Sequence, residues 1–224
     1  MLILLETMSS TPFNRFVVDM VRIMTEQRNC GVTIATSLHI DGQHPPPSSA
    51  LDSEFRQAGA HIFILPTFSA LGDQPAFILH LIRSRRISHV FVLRQPLGLA
   101  IVEHLRQQAP TVSFSALLMD TFLLARHTIS FFDGAIVDSD AFKDLLVKFG
   151  SYKVGDRVVV LPQLLALEQG APREHVKLVV DTFFSFTLLL MKGVTLSRTL
   201  RDCLETVSRP SHGMVDMLEI AQLS

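Results

Sequence analysis

The sequence predicts an α/β fold: a doubly wound, mostly parallel Rossmann-like sheet with helices on both faces, followed by a helical C-terminal tail. Three observations predict it. Short apolar runs, of the kind buried on both faces of a parallel sheet, recur along the first 162 residues. Between them lie stretches of helical periodicity, opened by capping residues or Pro and closed by Gly or Pro. After Pro162 the alternation stops, so the expected boundary separates a Rossmann-like unit, 1–162, from a helical tail, 163–224.

The elements follow in order. Met1 to Leu5 reads as the first strand, and Thr11 then caps a helix with Pro12 in its first turn. Phe13, Phe16, Val17, Met20, Val21 and Met24 give that helix its apolar face. Val32 to Thr36 is the second strand, and 41–49, with three consecutive prolines, is an exposed extended loop. A short helix over 49–58 stops at Gly59, and His61 to Leu65 is the third strand, ended by Pro66. Asp73 is expected to cap a helix reaching Arg86. The strand His89 to Leu93, the helix Leu97 to Gln108 and the strand Val112 to Leu118 come next. A helix over 121–130, the strand Gly134 to Val137, a helix over 139–149 and the strand Val158 to Leu161 complete the unit. In the tail, 176–191 and 196–207 have helical character, with a turn at 208–213 and a short terminal helix.

Composition narrows the function. With 48% hydrophobic and 18% charged residues, the chain has material for a large core and is not a disordered one. Twenty basic and 21 acidic residues leave a net charge of −1, so nucleic acid is not an expected partner. Cys30 and Cys203 are the only cysteines, and no Cys/His grouping has metal-ligand spacing, so neither a disulfide framework nor a metal is expected. The opening residues reach Glu6 with no basic run before them, which predicts no signal peptide. The apolar stretch up to Met191 is interrupted by Asp181 and is short of the roughly 20 residues a spanning helix needs. A cytoplasmic protein is expected. Its apolar tail is suited to self-association or to peripheral contact with the cytosolic face of a membrane.

In a doubly wound sheet, ligands bind beyond the carboxyl ends of the strands. That rule selects the loops 6–11, 37–44, 94–98 and 119–121. Ser9, Ser10 and Thr11 open a helix N-terminus and are candidates for binding acceptor hydroxyls or a phosphate; simple capping is the alternative. Asp120, ending the fifth strand, and His127, in the following stretch, are the candidate catalytic acid–base groups, with capping and plain solvent exposure as their alternatives. His39 and His44 lie in the second loop and carry the same alternatives. His61, His80 and His89 fall inside elements and read as structural. Ser139 and Lys143 are candidates for a ligand oxygen, against a solvated helix face. Arg83, Arg85 and Arg86 are accounted for by a helix C-terminus. The chain has no G-x-G-x-x-G, no Walker A and no G-x-S-x-G sequence, which disfavours dinucleotide, P-loop and hydrolase sites.

Several stretches, taken in order, resemble a known family. "LILLETMSSTPFNRFVVDMVRIMTEQRNCGVTIATS" resembles the opening strand, loop, helix and strand of the N-terminal, acceptor-side domain of retaining glycosyltransferases with the B-type fold, group 1 (family four). "GAHIFILP", "PAFILHLIRSRRISHVFVLRQPLGLAIVEHLRQQAPTV" and "FFDGAIVDSDAFKDLLVKFGSYKVGDRVVVLP" are similar to its later elements. The resemblance covers 1–162 and implies transfer of a sugar from a nucleotide-sugar to an acceptor hydroxyl, with no cofactor beyond that donor substrate. Ser9 and Ser10 stand where the family usually has Gly-Gly, Met119-Asp120 where a His often follows, and Gln163-Leu164 in place of Asn-Gly. No stretch after Pro162 suits the family's donor-binding domain, so the expectation is a truncated acceptor half with little turnover alone. The alternatives are a non-catalytic interaction module using the tail and a small sugar-nucleotide-modifying α/β enzyme, such as an epimerase.

Overall fold

The computed structural model describes residues 1–37, 50–119, 128–149 and 158–161. Asp120, His127, His39, His44 and the whole tail from 162 onward lie outside the described residues, as do residues 121–127 of the helix expected over 121–130, whose described end is a 3-10 turn over Ile129–Phe131.

Seven strands form one all-parallel sheet: β1 (Leu2–Leu5), β2 (Thr33–Thr36), β3 (His61–Ile64), β4 (His89–Leu93), β5 (Ser113–Leu118), β6 (Gly134–Val137) and β7 (Val158–Val160). Their spatial order is β3-β2-β1-β4-β5-β6-β7. The chain therefore builds outward from β1 to one edge, returns across the sheet, and builds outward again from β4. β1, β4 and β6 are buried along their whole length, which is why they read as unbroken apolar runs. β3, at one edge, is partly open to solvent throughout, and β5 only at its first residue, Ser113.

Helices cover both faces. On one face, α1 (Pro12–Arg28) and α2 (Ala50–Gln57) bury Phe16, Met20, Met24, Leu51 and Phe55 against Ile3, Leu5, Phe91 and Leu93. On the other, α3 (Gln74–Ser84), α4 (Pro96–Gln108) and α5 (Asp140–Phe149) bury Ile78, Ile82, Val102, Leu105 and Leu146 against Leu2, Leu4, Val90 and Val92. Alternate residues of β1 and β4 thus feed opposite cores, as the twofold period of a strand requires. The α/β, Rossmann-like reading holds.

Local signals behave as their chemistry dictates, with one exception. The Thr11 hydroxyl accepts the Asn14 N–H at 3.2 Å and caps α1 above Pro12. Gly59 ends α2 at φ 89°, a conformation that favours a residue without Cβ. The exception is Asp73. It makes no side-chain capping bond, because a short 3-10 turn over Leu71–Asp73 runs directly into α3 and leaves Asp73 in a helical conformation.

Candidate functional site

The sheet order reverses between β1 and β4. Leu5 and Leu93 end these two strands level with each other. Beyond Leu5 the chain turns onto the face covered by α1, and beyond Leu93 it turns onto the face covered by α4. The two departing backbones cannot fill the space between them, and a crevice opens there. The cleft holds about 250 Å³ and is lined by Leu5, Glu6, Thr7, Ser9, Thr11, Phe13, Asn14 and Arg94, among others.

Its near wall is a polar net. The hydroxyls of Thr7 and Ser9 lie 2.9 Å apart. Asn14, only 4% exposed, donates its Nδ2 to the Ser9 carbonyl at 2.7 Å and to the Ser9 hydroxyl at 3.3 Å. The Thr11 N–H donates to the same Ser9 carbonyl at 2.8 Å. Ser9 is therefore the hub of the loop. Ser10 faces outward, and its hydroxyl accepts from Arg15 at 3.4 Å.

The far wall is Arg94, whose backbone sits at φ 50°. For a residue with a Cβ this left-handed conformation costs about 1 kcal/mol. Its N–H donates to the Leu117 carbonyl at 3.2 Å, and its guanidinium carbon lies 5.3 Å from the centre of the Phe13 ring. Arg94 and Phe13 thus close the cleft as a cation–aromatic pair.

The floor is held from below by Gln95, which is fully buried. Its Nε2 donates to the Leu5 carbonyl at 3.0 Å, adding one rung where the strand pairing of β1 ends. Its Oε1 has no partner among the described residues. Gly98, one turn further along α4, packs so closely on the sheet that a Cβ there would lie 2.8 Å from Val92 Cγ1 and 3.0 Å from Gln95 Oε1.

Of the residues selected from sequence, Ser9 and Thr11 line this cleft and Ser10 stands at its edge. Ser139 and Lys143 do not join them. β6 lies three strands from β1, roughly 14 Å along the sheet at ordinary strand spacing, and α5 is on the opposite face from α1. The Ser139 hydroxyl accepts the Phe142 N–H at 3.3 Å, the bond of a helix cap. Lys143 is half-buried on α5. Glu6, Asn14, Arg94 and Gln95 were not singled out. Glu6, Arg94 and Gln95 fall within the loops that the carboxyl-end rule selects, but no local pattern points to Asn14 or to the partner of Gln95, which the fold brings close.

A second polar cluster sits at the other end of the strands. His89 is 2% exposed and its Nε2 lies 2.8 Å from the Ser115 hydroxyl, while Nδ1 has no partner among the described residues. Burial, reinforced by the N-terminal ammonium of Met1 and opposed by Asp133, lowers its pKa to about 4. Asp133 accepts from Arg106 Nη2 at 2.7 Å, from the Phe114 N–H at 2.8 Å and from the Ser113 hydroxyl at 3.2 Å. Burial alone would raise the Asp133 pKa, yet the Arg106, Phe114 and Ser113 bonds together lower it. This cluster ties β4, β5 and the start of β6 together.

Among the described residues, no group of three or more His, Cys, Asp or Glu gathers to hold a metal, and no helix is long and apolar enough to cross a membrane. Fold and cleft together define an α/β, Rossmann-like protein with its crevice at the switch point of the sheet. Comparison with family models, curated proteins and solved structures gives no match to any of them.

Proposed function

We propose that the chain is the acceptor-side unit of a nucleotide-sugar-dependent glycosyl-transfer protein, holding a hydroxylated acceptor in the cleft between β1 and β4. The observation that carries this reading is the position of the cleft: a crevice at the switch point of an all-parallel sheet, walled by hydroxyl, amide, carboxylate and guanidinium groups. Such groups suit hydroxyls, which both donate and accept. The stretches that resemble the glycosyltransferase N-terminal domain span β1 to β7, and the cleft is built from the first and third of them. Transfer brings two reactants into register, and this cleft supplies the wall for one. Taken alone, the acceptor wall lacks the groups that stabilise a departing nucleotide, so turnover by this unit is weak or absent.

Isothermal titration against UDP- and GDP-sugars, and against the corresponding free sugars, tests the reading. Saturable binding of a free sugar without binding of any nucleotide-sugar is the expected result. Micromolar binding of a nucleotide-sugar refutes the acceptor-side assignment and favours a sugar-nucleotide-modifying enzyme. Silence from both classes refutes the glycosyl-transfer reading.

A further inference from the structure

The two edges of the sheet differ. β7 is buried along its length, whereas every residue of β3 is half-buried or exposed, and no strand lies beyond β3 among the described residues. An edge strand presents a row of unpaired backbone groups, which charged side chains, proline, a bulge or brevity normally protect. β3 reads His-Ile-Phe-Ile and pairs with β2 without a bulge, so its length of four residues is its one protection.

Backbone direction selects what can pair there. The His61 N–H donates inward to the Val32 carbonyl at 3.0 Å, so by strand alternation Phe63 also faces β2, while Ile62 and Ile64 face out. The outward N–H and C=O of Ile62 have no partner among the described residues. The Ile64 carbonyl takes the Thr67 hydroxyl at 2.6 Å and keeps a second lone pair. Two outward residues flanking a central one form a self-complementary set. In an antiparallel pair, Ile62 of one copy and Ile64 of the other exchange both bonds, and Phe63 meets its own counterpart on the axis.

Side chains and charge fit the same axis. Phe63 meets Phe77 edge-to-face at 5.7 Å, and Phe77 in turn lies 5.0 Å from Phe68. Phe68 is 53% exposed and Leu71 69%, so this apolar strip continues into solvent beside the edge. α3 links β3 to the parallel β4 and therefore runs opposite to both. It starts beside Asp73, at the carboxyl end of β3, and is followed by Arg85 and Arg86 at the other end; all three are exposed. Arg85 is engaged within its own chain, by the Thr33 hydroxyl and the Phe63 ring. A parallel neighbour sets like charges side by side, whereas an antiparallel copy sets Asp73 toward Arg86 and Arg86 toward Asp73.

We propose that β3 is a dimerisation edge: two copies of this chain pair antiparallel through Ile62 and Ile64, about a twofold axis at Phe63, into one continuous sheet. The pairing is independent of what the cleft binds, because the cleft opens between β1 and β4, two strands inside this edge.

Sedimentation equilibrium of the full chain is the test, and the parent is expected to be a dimer. Ile62→Pro deletes an outward N–H without removing a bond to β2. It is expected to raise the dissociation constant at least about tenfold, because each copy loses one donated bond. Circular dichroism shows whether that variant is folded. If it is not, charge reversal at the exposed positions decides. Asp73→Arg and Arg86→Asp are each expected to weaken the dimer about threefold in low salt, and the two together to restore it. A parent that stays monomeric up to about 100 μM overturns the inference. A dimer that a folded Ile62→Pro variant leaves intact, or that neither charge reversal weakens, overturns it as well.

Discussion

Lowering the pH from 7.5 to 4.5 sets folding against the protonation of a histidine that the fold keeps from water. His89 is 2% exposed, and its pKa in the folded chain is about 4, against about 6.5 unfolded. Between those values the unfolded chain binds the proton and the folded chain does not. Stability attributable to this group is therefore intact above pH 6.5 and declines as pH falls toward 4. A separation of about 2.5 units at about 1.4 kcal/mol each gives about 3 kcal/mol in full, most of which is lost by pH 4.5. The variant His89→Gln keeps a polar group facing Ser115 and removes the titration. Urea unfolding of both proteins across this range isolates the effect from the remaining histidines and carboxylates. The gap between the two curves should close, or reverse, by about 2–3 kcal/mol from pH 7.5 to 4.5. Parallel curves would refute the reasoning, and so would an imidazole resonance for His89 that titrates near 6.5.

Three further perturbations follow from the same structure. Gly98→Ala places a Cβ 2.8 Å from Val92 Cγ1, so overpacking of about 1–3 kcal/mol should outweigh the helix-propensity gain of up to about 1 kcal/mol; a raised midpoint of denaturation would contradict this. Asp133→Asn removes the charge that Arg106, Ser113 and Phe114 share and should cost about 1–2 kcal/mol at pH 7. Because the Asp133 pKa is lowered in the fold, that stabilisation holds above about pH 4 and disappears as pH falls through the folded value, so parent and variant should converge in acid. Thr11→Ala removes the α1 cap and should destabilise by about 1 kcal/mol in thermal melts, while Ser10→Ala, at an exposed hydroxyl, should change little.

The fold was legible because its signals are local. Strands buried on both faces spell themselves as Leu-Ile-Leu-Leu, Val-Phe-Val-Leu and Gly-Ala-Ile-Val, and Thr11-Pro12 and Gly59 mark helix ends through their own backbone chemistry. Asp73 shows where a local signal fails: a capping residue type does not cap when the turn before it is already helical. The cleft was legible only as a set of loops. The carboxyl-end rule selects the loops after β1 and β4 without saying which strands are neighbours, and that adjacency follows from the order β3-β2-β1-β4. Ser9 and Ser139 are both candidates for binding a ligand oxygen on sequence, yet three strand positions separate them.

Gln95 shows why the rest was hidden. Its side chain bonds to Leu5, 90 residues earlier in the chain, and nothing at either position advertises the other. The bond exists because α4 begins where β1 ends, and α4 can sit that low only because Gly98 has no Cβ. The seating of one helix on the sheet therefore fixes the last carbonyl of β1, from which Glu6 and Thr7 enter the cleft. A change at Gly98 that lifts α4 should accordingly disturb the Thr7 and Asn14 amides as well as stability, although neither residue touches it. Core packing and site geometry are, at this switch point, the same set of contacts seen from its two sides.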